Sequence, residues 1–390
     1  MKAELEERWL RPSGRVYVLL VATLITACTI SFLFGIVTYR AKVFPYQLLH
    51  SIWKPATSDD AKPLPRYSIN ELEISKRLDD LHSQRAQFRA DLLRRLVVDD
   101  YDFQELSRDN SRTIDIEQEL FKHGRVSSVR TYGIVHLGVL AQTKQESVRG
   151  LLIYIQGHTG SPFSFDYFDE IRATALKAGF DVLALSMSAI GFNAIDRTFP
   201  TAFGELDVPR EQTDHLLFSL FHDAERPHLD PLASMVSGNY HLVQETIARG
   251  DYRTVYMAGV SGGGWYTTIL SALDPKISES IAFAGTVPLE LMGEPSNVSD
   301  WEAVAAPIYR HYNYWDFYSL ATLSEDNNAA QRRHFQVYNS EDPCCYAGPS
   351  AKVVRDVAAR LDIPGFDVKI LEADHHSADP KLIRHLWFDE

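Results

Sequence analysis

The chain has 390 residues, 45% of them hydrophobic and 23% charged, a globular composition with length enough for a sizeable core, which excludes disordered, collagenous and small disulfide-stapled proteins. Its formal net charge of −13 repels polyanions, so no nucleic-acid partner is expected. Three cysteines, two of them the adjacent Cys344 and Cys345, build no disulfide framework and leave the redox compartment unread.

No residue from Val16 to Tyr39 is charged. As a helix rising about 1.5 Å per residue this run reaches roughly 36 Å, enough to cross a bilayer. The expectation is a short cytoplasmic tail over 1–15 and an uncleaved transmembrane helix over 16–39. A signal peptide would carry a shorter apolar stretch ending at a small-residue cleavage site, which is not seen. Ile25-Thr26-Ala27-Cys28 resembles a bacterial lipobox, but the chain stays apolar from Thr29 to Tyr39, so Cys28 reads as a small membrane-buried residue. Lys2, Arg8, Arg11 and Arg15 precede the span while Arg40, Lys42 and Lys54 follow it. That small bias sets the N-terminus inside and the body outside the cytoplasm.

Residues 40–66, with Pro45, Pro55, Pro63, Pro65 and the run Thr57-Ser58-Asp59-Asp60, read as a linker. A helical N-terminal extension is predicted over 67–129. Ile69, Leu72, Ile74, Leu78, Leu81 and Phe88 keep a helical period through 68–98, opened by a capping-box pattern at Ser68 and Glu71. From 130 onward short apolar runs alternate with amphipathic stretches. Strands are predicted over 133–140, 151–156, 181–186, 254–258, 280–284, 334–338 and 366–371, and helices over 166–178, 239–248, 350–361 and 380–387. Apolar strands separated by helices imply an α/β fold with a mostly parallel central sheet.

The run 254–258 leads into Gly259-Val260-Ser261-Gly262-Gly263 and then a helical stretch over 266–273. This is the setting of a nucleophile elbow: the serine sits on a sharp strand-to-helix turn, and the flanking glycines let strand and helix come close. A serine hydroxyl needs a base to take its proton and an acid to orient that base. Asp342, in the loop after the strand at 334–338, offers the acid. His375 and His376, after the strand at 366–371, offer the base. Upstream, the apolar strand at 151–156 runs into Gly157-His158-Thr159-Gly160-Ser161, where the backbone N–H of His158 or Thr159 would join that of Gly262 as an oxyanion hole. The ring of His158 is read as packing.

Ser261-Gly-Gly-Gly-Trp265 and Asp342-Pro-Cys-Cys345 resemble bacterial dienelactone-hydrolase and prolyl-oligopeptidase-like serine esterases of the α/β-hydrolase superfamily, over about 130–390. The resemblance implies an α/β-hydrolase fold and a triad of Ser261, Asp342 and His376. The family's usual His-x-Ile-Ser ending stands here as His376-Ser377-Ala378-Asp379, which leaves His375 open as the alternative base. With the anchor, it implies a membrane-bound serine hydrolase of carboxylic esters, its substrate a small molecule or a glycan ester. A peptidase with the same triad and a non-catalytic binding protein are the other readings.

Two insertions complete the outline. Residues 192–237 suit a cap over the site. Their His215, His222, Asp223, His228 and Asp230 match no zinc spacing, so neither metal nor cofactor is expected. Residues 288–328 hold Trp301, Tyr309, Tyr312, Tyr314, Trp315, Phe317 and Tyr318, a group read as core, with sugar stacking or an acyl pocket as the alternative. Cys344 and Cys345 either bridge to each other or stay as two thiols. Nothing in the sequence sets the oligomeric state.

Overall fold

A computed structural model describes residues 69–110, 118–292, 300–304, 307–325 and 331–389. The chain divides into two units, and the second, Pro63–Glu390, holds every described residue. The predicted tail and span over 1–39, Cys28 and the linker over 40–66 lie outside the described residues. Among the described residues no helix is long and apolar enough to cross a membrane.

The helical stretch predicted over 68–98 is two helices, α1 (Glu71–Ser83) and α2 (Arg85–Leu96), because Gln84 leaves the helical region at φ −120°, ψ 23°. The cap is also displaced. Asn70, not Ser68, caps α1 and accepts from the Glu73 amide at 3.3 Å. Ser68/Glu71 and Asn70/Glu73 are both polar-to-acid pairs at the same spacing, so pattern alone does not choose between them.

Among the described residues the sheet has nine strands: β1 (Asp102–Leu106), β2 (Arg125–Thr131), β3 (Ile134–Ala141), β4 (Gly150–Gln156), β5 (Phe180–Ser186), β8 (Val255–Val260), β9 (Glu279–Phe283), β10 (Arg333–Asn339) and β11 (Phe366–Leu371). They lie in the order β1-β2-β3-β5-β4-β8-β9-β10-β11. β6 (Arg197–Thr201) and β7 (Gly204–Val208) form a separate antiparallel hairpin within the insertion 192–237. From β5 to β11 every neighbouring pair is parallel, and β1, β2 and β3 add an antiparallel edge. A purely helical extension over 67–129 is therefore incorrect, since β1 and β2 belong to the sheet. β2 reads Arg-Val-Ser-Ser-Val-Arg-Thr and β1 Asp-Phe-Gln-Glu-Leu, sequences held as strands by pairing rather than by an apolar run.

The sheet is flanked by α3 (Asp166–Lys177), α4 (Ala233–Gly250), α5 (Gly262–Leu273), α6 (Tyr314–Thr322), α7 (Pro349–Leu361) and α8 (Pro380–Trp387). β4 shows how they are apportioned. Leu151, Ile153 and Ile155 share a core with Leu242 of α4, Trp265 and Ile269 of α5, and Phe317 of α6. Leu152 and Tyr154, one residue out of phase, share the other core with Phe168 and Ile171 of α3 and Trp387 of α8. A strand buried on both faces must be apolar throughout, which is why β4 reads as an unbroken run. The aromatic residues of α6 are interior: Tyr314, Trp315, Phe317 and Tyr318 are at most 1% exposed. They pack the core and offer no surface for a sugar ring.

Two buried arginines tie these layers together at helix C-termini, where carbonyls lack intrahelical partners. Arg332 donates to Ser271 O and Asp274 O at the end of α5, to Leu320 O and Leu323 O at the end of α6, and to Ile277 O, all at 2.6–3.0 Å. Arg89 of α2 reaches Ala272 O, Leu320 O and Leu323 O at 3.0–3.1 Å and pairs with Glu325. Replacing Arg332 by leucine strands several buried carbonyls, and each unsatisfied group costs about 1–3 kcal/mol. Arg332→Leu is expected to lower unfolding stability by at least about 3 kcal/mol in a urea titration. A loss under about 1 kcal/mol would contradict this account of the helix ends.

Candidate active site

The chemistry-bearing turns gather where the sheet ends: after β4, β8, β10 and β11, at the C-terminal edge of parallel strands.

Ser261 joins β8 to α5. Its backbone stands at φ 59°, ψ −129°, a conformation L-residues avoid, with a cost on the order of 1–3 kcal/mol. The surroundings impose it. The Ser261 amide donates to Phe283 O of β9 at 2.8 Å, and its carbonyl accepts from Trp265 N at 3.0 Å. A Cβ on Gly263 would meet Ile155 O of β4 at 2.1 Å, so only glycine lets the first turn of α5 lie that close to the sheet. The Gly262 amide is the first of α5 and has no acceptor within the helix.

Asp342 and His376 are in contact. The carboxylate, with 0% of its side chain exposed, accepts from His376 Nδ1 at 2.8 Å on one oxygen and 3.0 Å on the other. Its Oδ1 also accepts the amides of Cys344 and Cys345 at 2.8 and 3.1 Å. These two cysteines are joined as a vicinal disulfide. The loops after β10 and β11 are laced to each other. Ser340 N donates to Leu371 O, Glu341 N to Ala373 O, and Asn339 Nδ2 to His375 O. His376 Nε2 is buried and has no hydrogen-bond partner among the described residues. A ring held through Nδ1 with its other nitrogen unengaged is poised to exchange a proton there. His375 is placed differently: exposed, with Nδ1 bonded to the Ser377 hydroxyl at 2.8 Å and no contact to Asp342.

The loop after β4 lies against the elbow. A Cβ on Gly157 would fall 2.7 Å from Ser261 Cβ and 3.0 Å from Gly262 N, so this loop runs close against the serine. Thr159 is exposed, and its hydroxyl accepts from Gln156 Nε2 at 3.3 Å. His158 does more than pack. Its ring covers the first turn of α5, with Cε1 2.7 Å from where a Gly262 Cβ would be, and its Nε2 meets Glu302 Oε1 at 3.0 Å. His215, from the cap insertion, meets Glu302 Oε2 at 3.2 Å and His158 Nε2 at 3.3 Å. Burial alone would push the pKa of His158 down, but its bond to Glu302 and the charges of Glu302 and Asp300 outweigh this, and the net shift is upward. Burial would likewise raise the carboxyl of Glu302, and the two histidines hold it well below the usual range instead. Sequence reading missed Glu302 and left His215 scattered. The three residues come from three separate segments and share no spacing.

No protein-family model matches the chain, and no curated protein matches it. Solved structures do resemble it. An acetyl xylan esterase from Paenibacillus sp. R4 is 14% identical with a TM-score of 0.47, covering 83% of this chain and 98% of its own. Est1E from Butyrivibrio proteoclasticus with ferulic acid bound is 16% identical with a TM-score of 0.44, covering 66% of this chain and 96% of its own. An S-formylglutathione hydrolase from Agrobacterium tumefaciens is 14% identical with a TM-score of 0.43, covering 68% and 92%.

Proposed function

We propose that the protein is a serine hydrolase of carboxylic esters with Ser261 as nucleophile, His376 as base and Asp342 as its orienting acid. The observation that carries this reading is the strained Ser261 turn at the same sheet edge as a closed His376–Asp342 pair whose Nε2 is buried and unpartnered. A merely structural turn has no use for backbone strain of this kind. In the reaction Ser261 Oγ bonds to the acyl carbon while His376 Nε2 takes the hydroxyl proton. The charge that develops on the carbonyl oxygen is received by the amides of Gly262 and of His158 or Thr159. His376 then gives its proton to the departing alkoxide, leaving an acyl-enzyme. Water, deprotonated by the same nitrogen, releases the acid and restores Ser261. Asp342 stabilises the imidazolium at each stage and stays ionised. The chemistry needs no cofactor. Esters are the preferred class because an alkoxide leaves with less proton assistance than an amine. With the α6 aromatics buried in the core, a small acyl ester fits better than a stacked glycan.

We also infer that the uncharged run from Val16 to Tyr39 anchors this hydrolase in a membrane, with the catalytic unit outside the cytoplasm. The cations before the run support that orientation, and the Cys344–Cys345 disulfide suits an oxidising compartment.

The base is tested by mutating the two histidines separately and measuring kcat/KM on p-nitrophenyl acetate. His376→Ala is expected to lose about 10⁴-fold or more, as removal of a triad member does, whereas His375→Ala stays near wild type. The reverse outcome would move the base to His375. For the topology, protease added outside intact cells is expected to digest the catalytic unit and spare a tag fused before Lys2. Protection of the unit with loss of the tag contradicts the orientation.

A further inference from the structure

We propose that His158, His215 and Glu302 form a binding site for a divalent transition-metal ion, zinc by preference, roofed over the first turn of α5 beside the elbow. The inference goes beyond esterase activity and does not depend on it.

His215 Nε2 lies 2.9 Å from Ser188 O, and a carbonyl only accepts, so that nitrogen carries the hydrogen and Nδ1 bears the lone pair of a neutral ring. Yet Nδ1 faces Glu302 Oε2 at 3.2 Å and His158 Nε2 at 3.3 Å. If Nδ1 is bare, its lone pair opposes a carboxylate. If it is protonated, His215 must be an imidazolium, donating to one oxygen of Glu302 while His158 Nε2 meets the other at 3.0 Å. A neutral His215 therefore leaves a bare nitrogen facing a buried carboxylate. A cation accepts electron pairs from all three groups at once and needs no such protonation.

The spacing agrees. Two donors tetrahedrally placed about 2.0–2.1 Å from a zinc ion stand about 3.3 Å apart; the two ring nitrogens are 3.3 Å apart, and each lies 3.0–3.2 Å from a different oxygen of Glu302. The donor set of two imidazoles and one carboxylate suits zinc rather than magnesium or calcium, which prefer all-oxygen shells. The ligands are braced in the manner of metal sites. The Ser188 carbonyl orients His215. The Glu302 backbone carbonyl accepts from Tyr309 Oη, which is in turn bonded by Trp265 Nε1 of α5. The side chains of His215 and Glu302 are 4% and 2% exposed, while that of His158 is 27% exposed, with Asp300 Oδ2 3.5 Å from its Nε2. That side gives the ion its way in and a fourth ligand, from Asp300 or water.

The test uses the full-length chain stripped with EDTA and titrated with zinc chloride by calorimetry, with metal content read by mass spectrometry. One zinc per chain at micromolar affinity or tighter is expected. His215→Gln and Glu302→Gln, each checked for folding by circular dichroism, should weaken binding by at least about 10–100-fold, and His376→Ala should leave it unchanged. X-ray absorption on the zinc-loaded wild type is expected to show nitrogen and oxygen ligands with imidazole scattering, and this holds even if a variant fails to fold. Negligible zinc uptake, unchanged affinity in both folded variants, or a sulfur shell from Cys344 and Cys345 would overturn the proposal.

Discussion

The close approach of α5 to the sheet is the constraint on which the rest of the site depends. Gly263 lies against Ile155 O, and this proximity leaves the connecting residue no ordinary backbone conformation. Ser261 therefore takes φ 59°, and the surrounding hydrogen bonds to Phe283 and Trp265 hold it there. The same closeness brings the β4 loop, through Gly157, against Ser261 and Gly262. One packing decision thus sets Ser261, the first amide of α5 and the neighbouring loop in mutual register, independently of the loops that carry Asp342 and His376.

His376 and Asp342 are placed by a different device. β10 and β11 are parallel neighbours, so their outgoing loops leave the same edge and lace together through Ser340, Glu341 and Asn339. Asp342 is fixed by the amides of the two disulfide-linked cysteines before it receives the imidazole. Behind this edge, Arg89 and Arg332 satisfy the carbonyls that end α5 and α6. The helix that follows Ser261 is thereby tied to the second insertion, which also supplies Glu302.

Much of this was legible in the sequence, for identifiable reasons. Strands buried on both faces, such as Leu151 to Gln156, announce themselves as apolar runs, and the helix over 380–387 was placed to the residue. The elbow was visible because its glycines answer a purely local demand. β1, β2, β6 and β7 were not visible, because edge and hairpin strands keep polar residues and are held by partners that sequence does not reveal. The choice between the two histidines was open for a related reason: adjacent positions in a loop differ only in direction. The cluster of His158, His215 and Glu302 was hidden more deeply. Its members come together only because the cap insertion, the second insertion and the β4 loop converge in space, and no spacing rule reports such a meeting.

The central claim is that Ser261 is an activated nucleophile. The most direct measurement treats the full-length protein with a fluorophosphonate, weighs the intact product and maps the modified peptide. The account predicts a single adduct, carried by Ser261, that is absent in Ser261→Ala and forms far more slowly in His376→Ala. An adduct on another residue, or labelling that persists undiminished in Ser261→Ala, would contradict it.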